Sequence, residues 1–542
     1  MKTYLNEEVP RSKWTRALVV LLCLTLAILA SACQSQTPQA PQVIRYMIPG
    51  EPKSLDPAVG NETYANAILY HQFEALVRED AQGTIQPAAA ASWTISEDRR
   101  TYTFHLREDA LWSDGKPVTA HDFAFAWLRL IQPDNASGIS GLLTPYIVGA
   151  SGYANGELKQ EEVGIKALDE TTFQVSLLSP VPYFMEILTF SRLGPGRSDR
   201  LDQADWMYDG STFVSNGPYV LDSYQAGQGL VLVKNQYYYG AEAMEIDEIH
   251  MRFRQATDDI GALYDAGQLD VLYEITVADL RQVPNSEPDT HSEMVSSTAF
   301  VIMNHESLGL ADERLRRALN GVIARQEIID KALLGSGVAS QYLVPLTIKV
   351  DGQPFHDFID LDGGANMEEA LDLMDQLEKE GLLPDRPLRF VYMSGRDDER
   401  VSLQLAEAWR SLGLEIETIG LPWTEVYNSA VDGDYDLAMM GWTADYAHPM
   451  TFLETFQTGA FFSQFSRWAS PEYDQRVKNL ALLDDQVLVL EELKALEQMI
   501  LEPQHIIPVY HRKGLYIVSS RVKGWFRNTS SQFDFTDAWI ED

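Results

Sequence analysis

The chain has 542 residues, a formal net charge of -37 and an apolar content of 45%. This length predicts at least two domains with sizeable cores, and the composition is that of a soluble globular protein rather than a disordered or fibrous one. The excess of acidic side chains would repel nucleic acid phosphates and anionic lipid surfaces, so the charge argues against a nucleic-acid partner.

The N-terminus has the pattern of a secretion signal. Basic residues precede an apolar run over residues 17–30, and small residues lead from that run to Cys33. The run is shorter than the roughly 20 apolar residues that a transmembrane helix needs. We therefore predict a signal peptide over residues 1–32, with a permanent anchor helix as the alternative interpretation.

The end of that signal, Leu29-Ala30-Ser31-Ala32-Cys33, resembles the lipobox of bacterial lipoproteins. The lipobox pattern prefers Leu at the position where this chain has Ala30. The resemblance implies that Cys33 becomes the acylated first residue of the mature protein. Two or more acyl chains hold a protein stably at a membrane, so the mature protein would be anchored there.

A mixed α and β pattern follows the signal. Residues 33–42 are polar and contain Pro, so we expect a flexible tether before a globular part that begins near Val43. Polar and apolar residues alternate over residues 101–106 and 172–177, which predicts two half-buried strands.

Helix starts are marked by capping residues. Thr119 followed by Asp122 has the spacing of a capping box at the start of an apolar helix. Further along, residues 312–323 carry apolar side chains on one helical face, and Asn366 precedes a second helical stretch as a plausible cap.

The common motifs of enzymes are absent from the sequence. There is no Gly-x-Ser-x-Gly elbow, no Walker loop, no Gly-x-Gly-x-x-Gly after a strand and no His-Glu-x-x-His. The ten His residues are scattered, and the Asp-rich stretch over residues 360–364 lacks the later ligands of a calcium loop, so we interpret it as a turn. We predict no catalytic residue, no metal site and no cofactor.

Motifs spread along the chain resemble the peptide-binding family of ABC-importer solute receptors, which includes oligopeptide-, dipeptide- and nickel-binding proteins. The longest runs from Ile85-Gln86-Pro87 to the stretch Trp112-Ser113-Asp114-Gly115-Lys116-Pro117-Val118-Thr119-Ala120-His121-Asp122. The other matching stretches are residues 51–57, 72–77, 215–219, 234–238 and 314–319, and the resemblance extends from residue 45 to residue 528.

The resemblance implies an α/β fold of the periplasmic-binding-protein kind, with two lobes and a hinge. Lobe I would comprise residues 43–297 and 511–542, with an extra subdomain inserted at about 77–189. Lobe II would comprise residues 298–510. The hinge would be two crossing strands near residues 298–304 and 508–512, and the lobes would close on a ligand.

The stretch Gly441-Trp442-Thr443-Ala444-Asp445-Tyr446 is similar to the family's Gly-Trp-x-Ala-Asp-Tyr element. The resemblance implies that Asp445 receives the α-ammonium group of a bound peptide, since a buried charged terminus needs an ionised partner. The alternative is that Asp445 caps a helix or turn before Pro449.

Further candidate ligand-binding residues surround this carboxylate. Gly441 would allow close approach of a ligand backbone, Trp442 could form a pocket wall or part of the core, and Thr443 lies between them and Asp445. Tyr510 lies in a stretch that matches a family strand returning between the lobes, which implies that it faces the cleft. Glu51, near the N-terminus, is a third and weaker candidate.

Two positions depart from the family pattern. Some oligopeptide binders carry an Arg two residues before the Gly-Trp pair, where it can meet the peptide carboxylate, and this chain has Met439 there. In the first lobe, Ser137-Gly138-Ile139-Ser140 stands where oligopeptide members often have Ser-Pro-Tyr-Ala. These departures leave the preferred peptide length open.

The resemblance implies a monomeric lipoprotein outside the cytoplasm that captures oligopeptides and delivers them to ABC permease subunits. It would be held to the membrane through Cys33, would bind no nucleic acid and would not be an enzyme. Two alternatives remain: the same receptor fold with a nickel chelate, haem, opine or sugar as its cargo, or a peptide-sensing signalling receptor.

Overall fold

The computed structural model describes residues 40–541 apart from 60–62, 134–138, 201–205, 274, 276, 284–288, 308, 334–335, 351, 357–364, 396, 481–482 and 484. The predicted signal peptide, Cys33 and most of the tether lie outside the described residues. So do the predicted turn at 360–364 and two of the four residues in the departure at 137–140. Residues Gln42–Asp542 form one compact unit.

The strands of the described residues are, in chain order, β1 (Val43–Ile48), β2 (Val77–Glu79), β3 (Ile85–Pro87), β4 (Ala90–Ile95), β5 (Thr101–Leu106), β6 (Ile165–Ala167), β7 (Thr172–Ser176), β8 (Tyr219–Gln225), β9 (Gly229–Lys234), β10 (Glu248–Phe253), β11 (Val271–Leu272), β12 (Thr290–Met303), β13 (Gly337–Ala339), β14 (Lys349–Val350), β15 (Gln353–Pro354), β16 (Leu388–Met393), β17 (Ile416–Leu421), β18 (Leu437–Thr443), β19 (Ile506–Val518), β20 (Val522–Lys523), β21 (Phe526–Arg527), β22 (Phe533–Asp534) and β23 (Trp539–Ile540).

The α-helices are α1 (Thr63–Gln72), α2 (Ala120–Leu130), α3 (Ala150–Ala154), α4 (Phe184–Ile187), α5 (Ile260–Asp265), α6 (Val277–Leu280), α7 (Glu313–Gly321), α8 (Arg325–Ile328), α9 (Met367–Glu380), α10 (Asp397–Arg410), α11 (Trp423–Asp432), α12 (Met450–Leu453), α13 (Phe461–Ser466), α14 (Pro471–Leu480) and α15 (Gln486–Leu501). A π-helical turn (Ile329–Leu333) follows α8. Within the described part of the chain, none of these helices combines the length and apolar character needed to cross a membrane.

One sheet runs through the whole compact unit. Its strand order is β17-β16-β18-β12-β19-β11-β1-β10-β9-β8, with β13 paired to β19. At one end, β16 pairs in parallel with both β17 and β18, and α10 and α11 provide the crossover connections that parallel strands require. At the other end, β1 pairs in parallel with β10 and β11.

The two long strands β12 and β19 join these two ends. The C-terminal half of β12 pairs with β18 and with the start of β19, whereas its N-terminal half pairs with the end of β19. A register shift interrupts the pairing between Met294 and Thr298. Such irregularities bend a strand, so the bend lies just before the predicted crossing point at residues 298–304.

A separate antiparallel sheet with the order β4-β5-β7-β6 forms the extra subdomain, and α2 packs on it through Phe123 and Trp127. The expected α/β fold, with two lobes and an additional subdomain, is therefore confirmed. The residue boundaries of the lobes stay predictions, because a single continuous sheet joins them.

Local sequence signals explain several of the elements. Strand β5 coincides with the predicted strand at residues 101–106, and β7 ends one residue before the predicted one. The capping box forms as expected, since the Thr119 amide donates to Asp122 Oδ2 at 2.9 Å and the Asp122 amide donates to Thr119 Oγ1 at 3.3 Å. Asn366 likewise caps α9 by accepting a hydrogen bond from the Glu369 amide at 3.2 Å.

Candidate functional site

Strand β18 leads from the core to the surface within seven residues. Its first four residues are apolar and buried, Gly441 and Trp442 are half-buried, and Thr443 is exposed. The neighbouring parallel strands β16 and β17 end at the same edge of the sheet. Ligand sites of open α/β sheets lie at the carboxyl ends of their strands, so this edge is the candidate site.

One side of β18 is unpaired where it reaches this edge. Strand β16 pairs with β18 only through Leu437 and Ala438, although β12 accompanies β18 on the other side as far as Thr443. Beyond Ala438, the part of the chain that the structure describes offers no strand on the β16 side. Met439 and Met440 are buried, so the unpaired edge becomes accessible only from Gly441 onward, where an extended chain can bind.

Asp445 lies two residues beyond the end of β18 and is half-buried. Its amide donates to Thr451 Oγ1 at 3.1 Å, and its carbonyl oxygen accepts a weak hydrogen bond from Ser530 Oγ at 3.4 Å. Its carboxylate has no hydrogen-bond or ion-pair partner among the described residues. The side chain therefore caps neither α12 nor a turn, contrary to the alternative interpretation.

The surroundings of Asp445 disfavour its negative charge. Burial raises the pKa of its carboxyl to about 6, and the positive charge of Arg192 only partly offsets this effect. Arg192 is itself buried, with Nε donating to the carbonyl oxygen of Pro57 at 2.8 Å. At neutral pH the Asp445 carboxylate is ionised but poorly solvated, so a cation that binds to it replaces the missing hydration.

Next to Asp445, five side chains form a contact that we call the interlobe cluster: Tyr146 and Tyr183 from the subdomain side, and Tyr446, His448 and Glu454 from the chain after β18. The Tyr183 ring stacks on Tyr446, with centroids 5.4 Å apart, and on His448, at 4.7 Å. Glu454 accepts hydrogen bonds from the hydroxyl groups of Tyr446, at 2.8 Å, and Tyr146.

The interlobe cluster is buried and close to electrically neutral. Burial raises the pKa of Glu454 to about 7, although hydrogen bonds from Tyr146 and Tyr446 oppose the shift. Burial also lowers the pKa of His448 to about 3, so the ring is uncharged at neutral pH. The cluster therefore joins the subdomain to the chain around Asp445 by hydrogen bonds and ring stacking rather than by an ion pair.

An arginine lies against the backbone at Gly441. A β-carbon at this glycine would lie 3.0 Å from Arg512 Nη2 and 3.2 Å from the Thr298 carbonyl oxygen, so the absence of a side chain allows the guanidinium to approach. Arg512 Nη2 also contacts both carboxylate oxygens of Asp398 at 3.0 Å. Tyr510 donates its hydroxyl hydrogen to the same carboxylate at 2.9 Å.

The other candidates occupy different environments. Trp442 packs on Phe461 and Phe462, with centroids 5.6 Å away in both cases, so its ring belongs partly to the core. Its indole Nε1 is buried and has no hydrogen-bond partner within the described part of the chain. Thr443 is exposed and its hydroxyl donates to Ser297 Oγ at 3.0 Å.

Tyr510 and Glu51 are not arranged alike. Tyr510 is only 2% exposed. Ala299 of β12 pairs with Gly441 on one side and with Tyr510 on the other, so one strand separates the Tyr510 backbone from β18. Its ring lies in the core, and its hydroxyl fixes Asp398. Glu51 is exposed in the first lobe, where it accepts a hydrogen bond from Tyr224. The structure thus groups Gly441–Asp445 with Tyr510 and leaves Glu51 in a separate contact.

Sequence reasoning did not single out Arg512, Asp398, Glu454 or the two subdomain tyrosines. The Arg512–Asp398 pair joins residues 114 positions apart, and the Tyr146–Glu454 hydrogen bond joins residues 308 positions apart. A single sequence carries no periodic or motif signal for contacts of this kind.

Known proteins share this architecture and sequence pattern. The periplasmic oligopeptide-binding protein OppA of Salmonella typhimurium is 28% identical over 489 residues, which cover 88% of this chain and 87% of that protein. The oligopeptide-binding protein OppA of Bacillus subtilis is 25% identical over 561 residues, covering 98% of this chain and 100% of that protein. The structure of Haemophilus influenzae OppA in complex with RPPGFSPFR has a TM-score of 0.76 at 26% identity, and covers 93% of this chain and 100% of that chain.

Residues 84–464 match the family model described as bacterial extracellular solute-binding proteins, family 5 Middle. This match spans most of the chain, including the subdomain sheet, β12 and β18. The chain belongs to the family 5 extracellular solute-binding proteins of bacteria.

Proposed function

We propose that this protein captures oligopeptides in the cleft between its two lobes and delivers them to the permease subunits of an ABC importer. The carboxylate of Asp445 carries this proposal. It is half-buried, has no partner among the described side chains and has a pKa raised by burial to about 6. The ammonium group of a peptide N-terminus supplies the positive charge and the hydrogen-bond donors that such a carboxylate lacks.

The open edge of β18 supports an extended peptide as the ligand. A peptide lying along residues 441–443 would form main-chain hydrogen bonds on the side that β16 leaves unpaired. Main-chain pairing binds peptides largely without regard to their sequence. A haem, sugar, opine or nickel chelate would not use a strand edge in this way, so the edge favours a peptide over these alternative cargoes.

Lobe closure links the binding of a peptide to its delivery. The interlobe cluster follows Asp445 directly, because Tyr446 is the next residue and stacks on Tyr183 of the subdomain. A peptide bound at Asp445 would therefore favour the arrangement in which the cluster is formed. The permease would recognise that closed form. A signalling receptor would use the same closure, but its partner would be a protein other than a permease.

We further propose that the mature protein is a monomer anchored outside the cytoplasm through an acylated Cys33. Replacing Cys33 by Ser should abolish the incorporation of labelled fatty acid and move the protein from the membrane fraction to the soluble fraction. Labelling of the Cys33→Ser variant equal to the unaltered chain would contradict the anchor and leave peptide capture unaffected.

Titration calorimetry with unmodified and N-acetylated alanine peptides tests the peptide site. Acetylation and the Asp445→Asn substitution should each cost about 2 to 5 kcal/mol of binding free energy, because either removes one member of a buried ion pair. The matched control is Asp109→Asn, which removes an exposed carboxylate paired with Arg107. Equal affinity for acetylated and free peptides would contradict the proposal, and mass spectrometry of co-purified ligand would then identify the cargo.

A further inference from the structure

We infer that the two lobes pivot where β12 and β19 cross at Val295 and Gly514, and that the missing side chain of Gly514 lets them reach the closed arrangement. This inference goes beyond the proposed function, because it concerns the movement of the lobes and not the identity of the cargo. It places the pivot a few residues outside the crossing at 298–304 and 508–512 that the family resemblance implies.

On one side of this point, both strands are bonded firmly into lobe II. The Thr298 hydroxyl donates to the carbonyl oxygen of Leu343 at 2.7 Å and lies 2.9 Å from His511 Nδ1. The amides of Leu343 and Val344 donate in turn to Glu497 Oε1, at 3.0 and 2.8 Å. Glu497 is only 2% exposed, so this chain of hydrogen bonds is shielded from water and fixes the two strands to lobe II.

The bonds of lobe II to the crossing strands extend to Ser296 on β12 and to Arg512 on β19. The Ser296 carbonyl oxygen accepts a hydrogen bond from the Ala444 amide at 2.8 Å, and Arg512 pairs with β13. On the other side, the first lobe holds β19 from Leu515 onward, because the Leu515 carbonyl oxygen accepts a hydrogen bond from the Ile275 amide at 3.0 Å. The pivot therefore lies between these two sets of bonds.

A short stretch of the two strands occupies this interval. Here the strands pair with each other, Glu293 with Gly514 and Met294 with Lys513. Directly afterwards comes the register shift that precedes Thr298. An interrupted strand pair bends more easily than a continuous one, and hinges of closing domains are a few residues of this kind. The structure therefore concentrates bending at Val295 and the residues opposite it.

Gly514 is closely packed on both sides. A β-carbon at this residue would lie 2.9 Å from Cγ1 of Val295 and 3.2 Å from Nη1 of Arg527. Arg527 belongs to the first lobe, where its guanidinium lies 4.5 Å from the ring centroid of Tyr516. These distances hold for the arrangement in which the interlobe cluster is formed. A side chain at position 514 would push the two strands apart at the pivot and so disfavour that closed arrangement.

Electron-spin distance measurements between the subdomain and lobe II test the inference. Spin labels would be attached at Glu170→Cys and Glu327→Cys, two exposed positions, in a Cys33→Ser background. Gly514→Ala should lower the ratio of closed to open molecules by about fivefold or more, both without ligand and with tri-alanine. Adding Val295→Ala to this variant should restore the ratio, because it removes the atom that the new β-carbon meets.

Gly141→Ala is the matched control and should behave like the unaltered chain, since a β-carbon there meets no heavy atom within 4 Å. An unshifted distance distribution in Gly514→Ala would overturn the inference. A shift that Val295→Ala does not relieve would also overturn it, because the added carbon would then act on Arg527 within the first lobe. If tri-alanine does not shorten the distance in the unaltered chain while the glycine variants behave as expected, the pivot stands and the proposed function fails.

Discussion

The rings of Tyr183 and Tyr446 stack with centroids 5.4 Å apart and planes within 1° of parallel. Tyr183 follows the sheet of the subdomain, whereas Tyr446 follows Asp445 directly in the chain. The residue proposed to hold the peptide amine is therefore covalently adjacent to the contact that joins the two sides of the cleft. If a peptide amine binds at Asp445, as proposed, a single peptide bond links that binding to the contact at Tyr446.

The hydrogen bond from Tyr146 to Glu454 should contribute to peptide affinity without touching the peptide. Replacing Tyr146 by Phe removes one donor to a buried carboxyl group, at a cost of about 1 to 1.5 kcal/mol. If this cost falls on the closed form alone, peptide affinity drops by about tenfold. Titration calorimetry with tri-alanine measures the change.

Tyr264→Phe is the matched control for that variant. Tyr264 donates to the carboxylate of Asp289, and both residues precede β12 in the first lobe, so this bond does not cross the cleft. Its loss should lower the thermal midpoint but leave peptide affinity unchanged. An equal loss of affinity in both variants would show that the effect of Tyr146→Phe is a general loss of stability rather than weaker closure.

Peptide affinity should fall in mildly acidic solution. The pKa of Asp445 is raised to about 6 in the free protein, so a proton must leave before an ammonium group can bind there at lower pH. Because the peptide amine has a pKa of about 8, it stays largely protonated between pH 5 and pH 7.5. The change in peptide affinity over this range therefore comes mainly from the titration of Asp445. Kd should be about tenfold higher at pH 5 than at pH 7.5.

The variant Asp445→Asn separates this effect from the titration of Glu454, whose pKa of about 7 is close to that of Asp445. The variant retains Glu454 and should bind weakly, with an affinity that changes much less over the same range of pH. A pH dependence as steep in Asp445→Asn as in the unaltered chain would assign the titration to another group.

Local signals were sufficient for much of the fold. The capping box at Thr119 and the alternation over residues 101–106 act through neighbours in sequence, so their side-chain types specify the helix start and the strand directly. The segment around Asp445 could be singled out because its residues are contiguous and resemble a family element, and its role in binding stays a prediction. The two long strands β12 and β19 were expected as shorter crossings, since sequence alone did not reveal how far their pairing extends.

The rest of the site depends on contacts that no local pattern encodes. Tyr510 was expected to face the cleft, but pairing of β19 with β12 turns its ring into the core, where it fixes Asp398. The open edge of β18 exists because β16 pairs with only two of its residues, which is a property of register and not of composition. The contact of Arg512 with Gly441 likewise has no sequence signal, because the sheet brings together residues of β18 and β19.

Gly441→Ala should weaken binding of short peptides. The added β-carbon would lie 3.0 Å from Arg512 Nη2, so the guanidinium would have to shift and its pairing with Asp398 would be strained. Because Gly441 lies on the edge proposed to bind the peptide backbone, we expect about a fivefold to tenfold loss of affinity for tri-alanine. Gly141→Ala is the control, since a β-carbon there meets no heavy atom within 4 Å. Unchanged affinity for tri-alanine in Gly441→Ala would contradict binding of the peptide along this edge.

Asp445→Asn should stabilise the ligand-free protein while it impairs binding. Because burial raises the folded-state pKa of Asp445 to about 6, the ionised group destabilises the native state. Burial does not penalise the protonated carboxyl, so the group costs the native state nothing below its unfolded pKa of about 4. The cost appears as pH rises and is complete above the folded-state pKa of about 6. Removing the charge should therefore add about 1 to 3 kcal/mol at neutral pH, with partial exposure favouring the lower end, and nothing at pH 4.

Thermal unfolding at the two pH values measures this difference, and saturating tri-alanine should reverse it. The unaltered chain then gains stability from the peptide, whereas Asp445→Asn does not. A lower thermal midpoint for ligand-free Asp445→Asn at neutral pH would mean that the carboxylate has a stabilising partner within the folded protein. Its raised pKa would then have another cause, and the position would be structural rather than a site held ready for an ammonium group.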